Sequence, residues 1–160
     1  MTVHSFKEVM ANYPTGVTVV TTFDGKNEPI GLTVNSFASV SVDPLLVLWS
    51  IGKESSNYKT FQEVDRFTIN ILAHHQKEIA LLFANREQTE VRFQKCDWYQ
   101  SEHQVPVLEN VAAALQCKLY KRIDAGDHLV LIGEVIDITH EDVLPLLYHQ
   151  RKMGEFPTSF

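Results

Sequence analysis

Val111-Ala-Ala-Ala-Leu-Gln-Cys-Lys-Leu-Tyr-Lys-Arg-Ile123, Asp124-Ala-Gly-Asp-His128 and Leu129-Val-Leu-Ile-Gly-Glu-Val-Ile-Asp-Ile-Thr139 follow one another without a break. The outer two pieces are the longest strand-like segments in the chain, and the piece between them carries the Gly-Asp pair of a tight turn. Together they predict an antiparallel hairpin. No βαβ alternation and no Gly-x-Gly-x-x-Gly accompanies it, which argues against a parallel nucleotide-binding sheet.

Outward from the hairpin, Arg66 to Leu72, Leu45 to Ile51, Ile30 to Asn35 and Thr15 to Phe23 are β-branched and apolar and read as strands. Ile30 to Asn35 is expected to pair with Leu45 to Ile51 across the turn at Asp43-Pro44. About six strands with one or two helices predict a mainly β fold, a closed or split antiparallel barrel. Ser5-Phe-Lys-Glu8 has the form of a capping box with Ser5 as N-cap, and Phe6, Val9 and Met10 lie on one helical face. Tyr13-Pro14 ends that helix. Tyr58, Phe61 and Val64 mark a second helical pattern. Gln76 to Asn85 forms another, with Ile79, Leu82 and Phe83 inward. Arg86 to Gln104 is a polar excursion anchored by Phe93, Trp98 and Tyr99; such segments either cover a site or form plain surface.

The 160 residues suit one domain, with 44% hydrophobic and 21% charged residues, the balance of a soluble globular protein. No apolar run is long enough to span a membrane, and the first residues, Met-Thr-Val-His-Ser-Phe-Lys-Glu, hold no apolar signal core, so a cytoplasmic protein is expected. A net charge of -6 argues against a nucleic-acid partner. Cys96 and Cys117 read as free thiols. The seven histidines show no metal-ligand spacing, so no metal is expected.

Gly31-Leu-Thr-Val-Asn-Ser-Phe-Ala-Ser-Val-Ser-Val-Asp-Pro44 breaks the apolar pattern. Thr33, Asn35, Ser36, Ser39 and Ser41 are too many polar groups for a strand that only fills a core, because each buried one needs a hydrogen-bond partner. The stretch is either an exposed edge or the lining of a pocket for a flat polar ligand. Further on, Gly52-Lys-Glu-Ser-Ser-Asn-Tyr-Lys59 leads into a helical pattern. It reads as an anion site aided by Lys53 and Lys59, or as plain N-capping by Ser55 or Ser56.

Four segments, Tyr13 to Thr22, Gly31 to Pro44, Ala125-Gly-Asp-His128 and Pro145-Leu-Leu-Tyr-His149, resemble the short-chain flavin reductases in order and spacing. These are the reductase components of two-component flavin-dependent monooxygenases. The resemblance implies an FMN-binding split β-barrel with Greek-key connections and a few peripheral helices. It also implies a homodimer, reduction of FMN or FAD by NADH or NADPH as co-substrate, and delivery of reduced flavin to an oxygenase partner. A flavin-binding electron-transfer or redox-sensing protein that keeps its FMN is the alternative.

By the same resemblance, Thr33, Val34, Asn35 and Ser36 meet the flavin ring edge and ribityl chain, and Thr15 and Gly16 border the slot. Ser39 lies close to the reactive face. Ser50, Ser55, Ser56 and Lys59 belong to the phosphate end, Phe83, Ala84 and Arg86 wall the ligand, and Tyr148 completes the cofactor set. His128 and Ser39 are the catalytic candidates. Hydride transfer needs no protein nucleophile, so their role is to orient rings and stabilise charge. Two departures from the family stand out. Gln150-Arg151-Lys152-Met153 follows Tyr-His where a glycine and an aromatic residue are usual, and Leu45 replaces a second proline after Asp-Pro.

Overall fold

The computed structural model describes residues 2–157. Twelve strands, three α-helices and a 3-10 segment are found among them, about twice the number of strands expected. The extra ones are short: β1 (Thr15–Gly16), β4 (Ala38–Val42), β7 (Trp98–Gln100), β8 (Pro106–Leu108), β11 (Leu146–His149) and β12 (Lys152–Glu155). Two to five residues carry too little alternation to be read as strands from sequence. The longer ones are β2 (Thr18–Phe23), β3 (Pro29–Val34), β5 (Leu45–Gly52), β6 (Arg66–Ile71), β9 (Ala113–Ala125) and β10 (His128–His140).

One antiparallel sheet of seven strands runs β3-β2-β6-β9-β10-β5-β4. The expected pairing of Ile30–Asn35 with Leu45–Ile51 does not occur. β3 pairs only with β2, and β5 lies between β4 and β10. Yet β3 and β4 are consecutive in the chain, joined by Asn35, Ser36 and Phe37. Four Cα steps span at most on the order of 15 Å, whereas six inter-strand spacings across a flat sheet amount to roughly 29 Å. The sheet must therefore curl until its two edges approach, although no ladder joins them. Ser36 holds that approach, its Oγ donating to Ser50 O at 3.2 Å and accepting from Ser50 N at 2.9 Å.

The β9–β10 hairpin forms as the sequence predicts, closed by Gly126 and Asp127. Gly126 alone has positive φ there, 64°, the form of two-residue turn that wants glycine first. Register shifts leave Tyr120 and Ile136 as extra residues, and such bulges bend a strand pair. At Gly133 a Cβ would stand 2.7 Å from Phe67 Cζ and 2.8 Å from Cys117 Cβ, so only glycine fits the bend.

Curling gives two cores. Val20, Trp49, Phe61, Phe67, Ile69 and Leu131 pack on one face, with Phe61 4.8 Å and Phe67 5.8 Å from the Trp49 ring, both edge-on. Val19, Leu72, Ala80, Phe83, Val107 and Leu146 pack on the other. Val19 and Val20 face opposite ways, as strand period demands, and both are 0% exposed. Helix α2 (Tyr58–Glu63) seals the first core with Phe61, and α3 (Lys77–Ala84) seals the second with Ala80 and Phe83. The Arg86–Gln104 stretch is ordered, as a 3-10 segment (Arg86–Gln94) followed by β7.

Helix α1 (Val3–Ala11) forms, but its N-cap is Thr2, reciprocally bonded with Ser5, rather than Ser5 with Glu8. None of its residues is buried. It is tied down instead by the β11–β12 turn, where Gln150 N donates to Ala11 O at 2.9 Å and Arg151 pairs with Glu8 at 2.5 Å. Gln150 and Arg151 both have positive φ, 48° and 62°, the twist-matched form of a two-residue hairpin. Among the described residues no helix is long and apolar enough to cross a membrane, and both cysteines are free.

Replacing Gly133 by Ala is expected to lower stability by about 1–3 kcal/mol through overpacking. Urea denaturation checks this; an unchanged midpoint would mean that the bend relaxes freely.

Candidate functional site

A cleft of about 400 Å³ opens where β3, the Gly52–Asn57 loop, α3 and the β9–β10 turn converge. Its apolar wall is Leu32 and Phe83; Thr33, Ser55, Ser56, Asn57, Arg86 and His128 supply polar groups. A smaller depression of about 210 Å³ adjoins it, sharing Thr33 and Ala84 and adding Val17, Val34, Asn35, Tyr148 and Met153. Eleven of the residues expected from sequence thus lie along or beside one continuous surface: Thr33, Val34, Asn35, Ser55, Ser56, Phe83, Ala84, Arg86, His128 and Tyr148, with Ser36 next in chain.

The rest fall elsewhere. Thr15 and Gly16 line a third, largely apolar groove of about 710 Å³ with Leu147, His149, Met153 and Phe156. That groove meets the smaller depression at Met153. The Thr15 Oγ1 is shielded from solvent and has no hydrogen-bond partner among the described residues. Ser39 is exposed on edge strand β4, opposite Val47. Lys59 is exposed on α2, and Ser50 is half-buried on β5.

Several polar groups of the opening strand serve the fold as well as the surface. Thr33 Oγ1 donates to Ala80 O at 2.6 Å, pinning α3 to β3, and the Ser36 hydroxyl is bound to the Ser50 backbone. Their protons are committed, leaving lone pairs for any ligand. Asn35 is exposed and its side chain makes no hydrogen bond among the described residues. In the Gly52–Asn57 loop, Ser55 Oγ accepts from Asn57 N at 3.3 Å, and the N-cap of α2 is Asn57 without a side-chain cap. Ser56 therefore caps nothing. Lys53 is not a free cation: its Nζ reaches Asp124 Oδ1 at 3.0 Å and Gly126 O at 2.8 Å.

The charge comes instead from Arg86, unpaired among the described residues, and from Arg92, which the sequence reading missed. Arg92 is 5% exposed. Its guanidinium donates to Gly31 O at 2.7 Å, Asn85 O at 2.7 Å and Leu82 O at 3.2 Å, and lies 5.8 Å from the Phe83 ring centroid. Burial lowers its pKa. No carboxylate pairs with it, so a positive charge satisfied only by neutral carbonyls sits beneath the cleft. That charge favours an anion above it. In sequence it is one arginine in a polar run, and only the fold closes Gly31 over it. A Cβ on Gly31 would lie 2.9 Å from Val20 O and 3.1 Å from Phe83, which explains the glycine.

His128 opens β10 beside Gly52, its Nδ1 2.7 Å from Asp127 Oδ1. This hydrogen bond, and next the imidazole charge, lower the Asp127 pKa. The site thus combines apolar walls, an anion-attracting floor and an imidazole at the rim.

A family model described as Flavin reductase like domain matches residues 10–157. The reductase component of a flavin-dependent trigonelline monooxygenase from Acinetobacter baylyi is 43% identical over 148 residues, 92% of this chain and 47% of that protein. The FMN reductase (NADH) SmoA of Agrobacterium fabrum is 40% identical over 152 residues, 95% of this chain and 85% of that protein. The chain therefore spans about half of one relative and most of the other. The NADH:FAD oxidoreductase SgcE6 of Streptomyces globisporus, solved with NAD and FAD fragments, superposes with a TM-score of 0.91 at 31% identity, covering 98% of this chain and 93% of that one.

Arg86→Ala is expected to leave stability within about 0.5 kcal/mol of wild type. Arg92→Ala, which removes a donor from the carbonyls of Gly31, Leu82 and Asn85, is expected to cost about 1–3 kcal/mol. Chemical denaturation of the two variants checks the contrast.

Proposed function

This chain belongs to the flavin reductase like domain family, and on that premise we propose that it oxidises NADH, reduces FMN or FAD, and releases the reduced flavin to a partner oxygenase. The observation that carries this reading is the continuous surface that brings Asn35, Thr33, Ser56, Arg86 and His128 together above the buried Arg92 charge. An isoalloxazine is apolar on its faces and polar at its edge, and flavin nucleotides carry phosphate. The donor set fits both parts: small polar groups and Tyr148 at one end, Ser56 and two guanidinium groups at the other. Bound flavin would supply the two-electron acceptor chemistry. The protein's residues bind, orient and shield, with hydride leaving the dihydronicotinamide and the accompanying proton coming from solvent.

The curled sheet, whose edges are drawn together by three residues, supports the finer assignment of a split barrel forming one domain. A cytoplasmic location fits a reductase that meets freely diffusing nicotinamide. Trigonelline monooxygenase and its like are examples of the partner class. The nicotinamide is assigned as NADH on the names of the relatives.

Steady-state assays crossing NADH and NADPH with FMN, FAD and riboflavin test the reading. Turnover is expected with NADH and a phosphate-bearing flavin, and no NADH oxidation with any flavin would sink it. Asn35→Ala is expected to weaken flavin binding about tenfold, equivalent to about 1.4 kcal/mol, with the denaturation midpoint unchanged.

A homodimer is the oligomer proposed. Helix α1 leaves Val3 at 73%, Phe6 at 62% and Val9 at 67% exposure, an apolar face that a two-fold contact would cover. Sedimentation at micromolar concentration should give the dimer mass, falling toward the monomer in a Phe6→Glu variant; a wild-type monomer would overturn this.

A further inference from the structure

Gln150-Arg151-Lys152-Met153 departs from the family pattern, and the fold ties this segment to another element. β11 and β12 form a small sheet with β1, and Tyr148 and Met153 are cross-strand partners in it. Both line the 210 Å³ depression, whose other side carries Val17, Thr33 and Asn35. The width of the depression therefore depends on how the small sheet is held. One end of the β11–β12 hairpin is pinned in the core: Leu146 is 1% exposed, its N donates to Leu72 O at 2.9 Å, and its partner Glu155 stands 3.5 Å from His74 Nδ1. The other end is the turn, which is fastened to α1. Gln150 N donates to Ala11 O at 2.9 Å, Gln150 Nε2 donates to Asn12 Oδ1 at 3.1 Å, and Arg151 pairs with Glu8 at 2.5 Å. Asn12 is itself oriented by Nδ2 donating to Glu8 O at 3.1 Å, which turns its Oδ1 toward Gln150.

We propose that Gln150 and Arg151 are positioning residues that latch the β11–β12 turn to α1, and that this latch sets Met153 and Tyr148 against a flavin ring in the depression. Gln150 and Arg151 both hold positive φ. Glycine takes that conformation freely, whereas a residue with a Cβ keeps it only where its surroundings hold it. Two glycines would close the same turn but could not reach α1 with side chains, so the latch, rather than the turn, accounts for the residues present. A hairpin pinned at its base moves most near its tip, and Met153 stands two residues past Arg151. An unbranched thioether there suits the edge of an aromatic ring. Arg151 and Glu8 are 60% and 49% exposed, so their pair is weak and screened by salt. The latch accordingly tunes ring affinity and does not create the site. The ligand part of this inference rests on the reductase reading; the hold on Met153 does not.

The test uses the whole chain at low salt, with riboflavin and FMN as probes and 13C-methyl methionine as reporter. Replacing both turn residues, Gln150→Gly with Arg151→Gly, removes the latch while suiting the turn. It is expected to shift the Met153 methyl signal, assigned with Met153→Leu, and to raise Kd about fivefold for riboflavin and FMN alike. Equal loss for the two probes places the effect at the ring, since riboflavin has no phosphate. Arg151→Glu, which sets two carboxylates together, should weaken riboflavin in the same way, and the charge swap Glu8→Arg with Arg151→Glu should restore both affinity and methyl signal. An unmoved methyl signal in the glycine variant overturns the latch. Weakening confined to FMN, or a shifted signal with unchanged riboflavin affinity, overturns the placement at the ring. Failure of the charge swap to restore binding reduces the pair to a structural contact and overturns the positioning role of Arg151. A wild type that binds neither flavin defeats the reductase reading and the ligand part with it, while the methyl signal still decides the latch.

Discussion

Chain continuity between two sheet edges is the constraint on which the rest of the molecule depends. β3 and β4 are neighbours in sequence and stand at opposite ends of a seven-stranded order. Three residues cannot bridge a flat sheet of that width, so the sheet curls, and the curl is what creates both an inner core around Trp49 and an outer one around Phe83. Bulges at Tyr120 and Ile136 and the bare Cα of Gly133 let the long hairpin follow the bend. The Ser36 hydroxyl then fastens the closing corner to β5 with two hydrogen bonds.

The site is a by-product of that closure. Where the edges approach, β3 faces the Gly52–Asn57 loop, and α3 and the 3-10 segment line the gap between them. Polar side chains of this region do two jobs. Thr33 and Ser36 donate to the backbone carbonyls of Ala80 and Ser50, while Asn35, Ser56 and Arg86 stay uncommitted among the described residues. A buried hydrogen-bonding group left without a partner costs about 1–3 kcal/mol, which is reason enough for hydroxyls to recur along an otherwise apolar strand. The polar run is thus divided: Thr33 and Asn35 line the surface depression, Ser36 ties the corner to β5, and Ser39 lies on an exposed edge strand.

Charge is distributed by the same logic. Neither lysine supplies a free cation to the cleft: Lys53 clamps the hairpin turn, and Lys59 is exposed on α2 outside the cleft lining. The electrostatic floor belongs to Arg92, whose planar fork reaches three carbonyls from three directions. An ammonium on a flexible stem has no comparable match to that geometry.

Much was legible in the chain itself. Alternation and turn residues fixed the β9–β10 hairpin, β2, β5, β6 and α3, because hydrophobic period is a local property that burial on one or two faces imposes directly. The resemblance named His128, Thr33 and Arg86 together, and the structure sets all three along one cleft. Local pattern failed where partners are distant. The pairing of β3 was misjudged because register between strands depends on sheet order, which no window of sequence contains. The N-cap of α1 moved from Ser5 to Thr2 because both residues carry hydroxyls and only backbone geometry chooses between them. Arg92 was invisible because its role arises from Gly31, Leu82 and Asn85 meeting in space. The sequence by itself determined which segments are strands and which residue types the site holds; the tertiary structure alone decided which edges meet and which polar groups remain free. Side-chain period is set by neighbours two to four residues away, whereas hydrogen-bond satisfaction is settled by whatever the curl brings within about 3 Å.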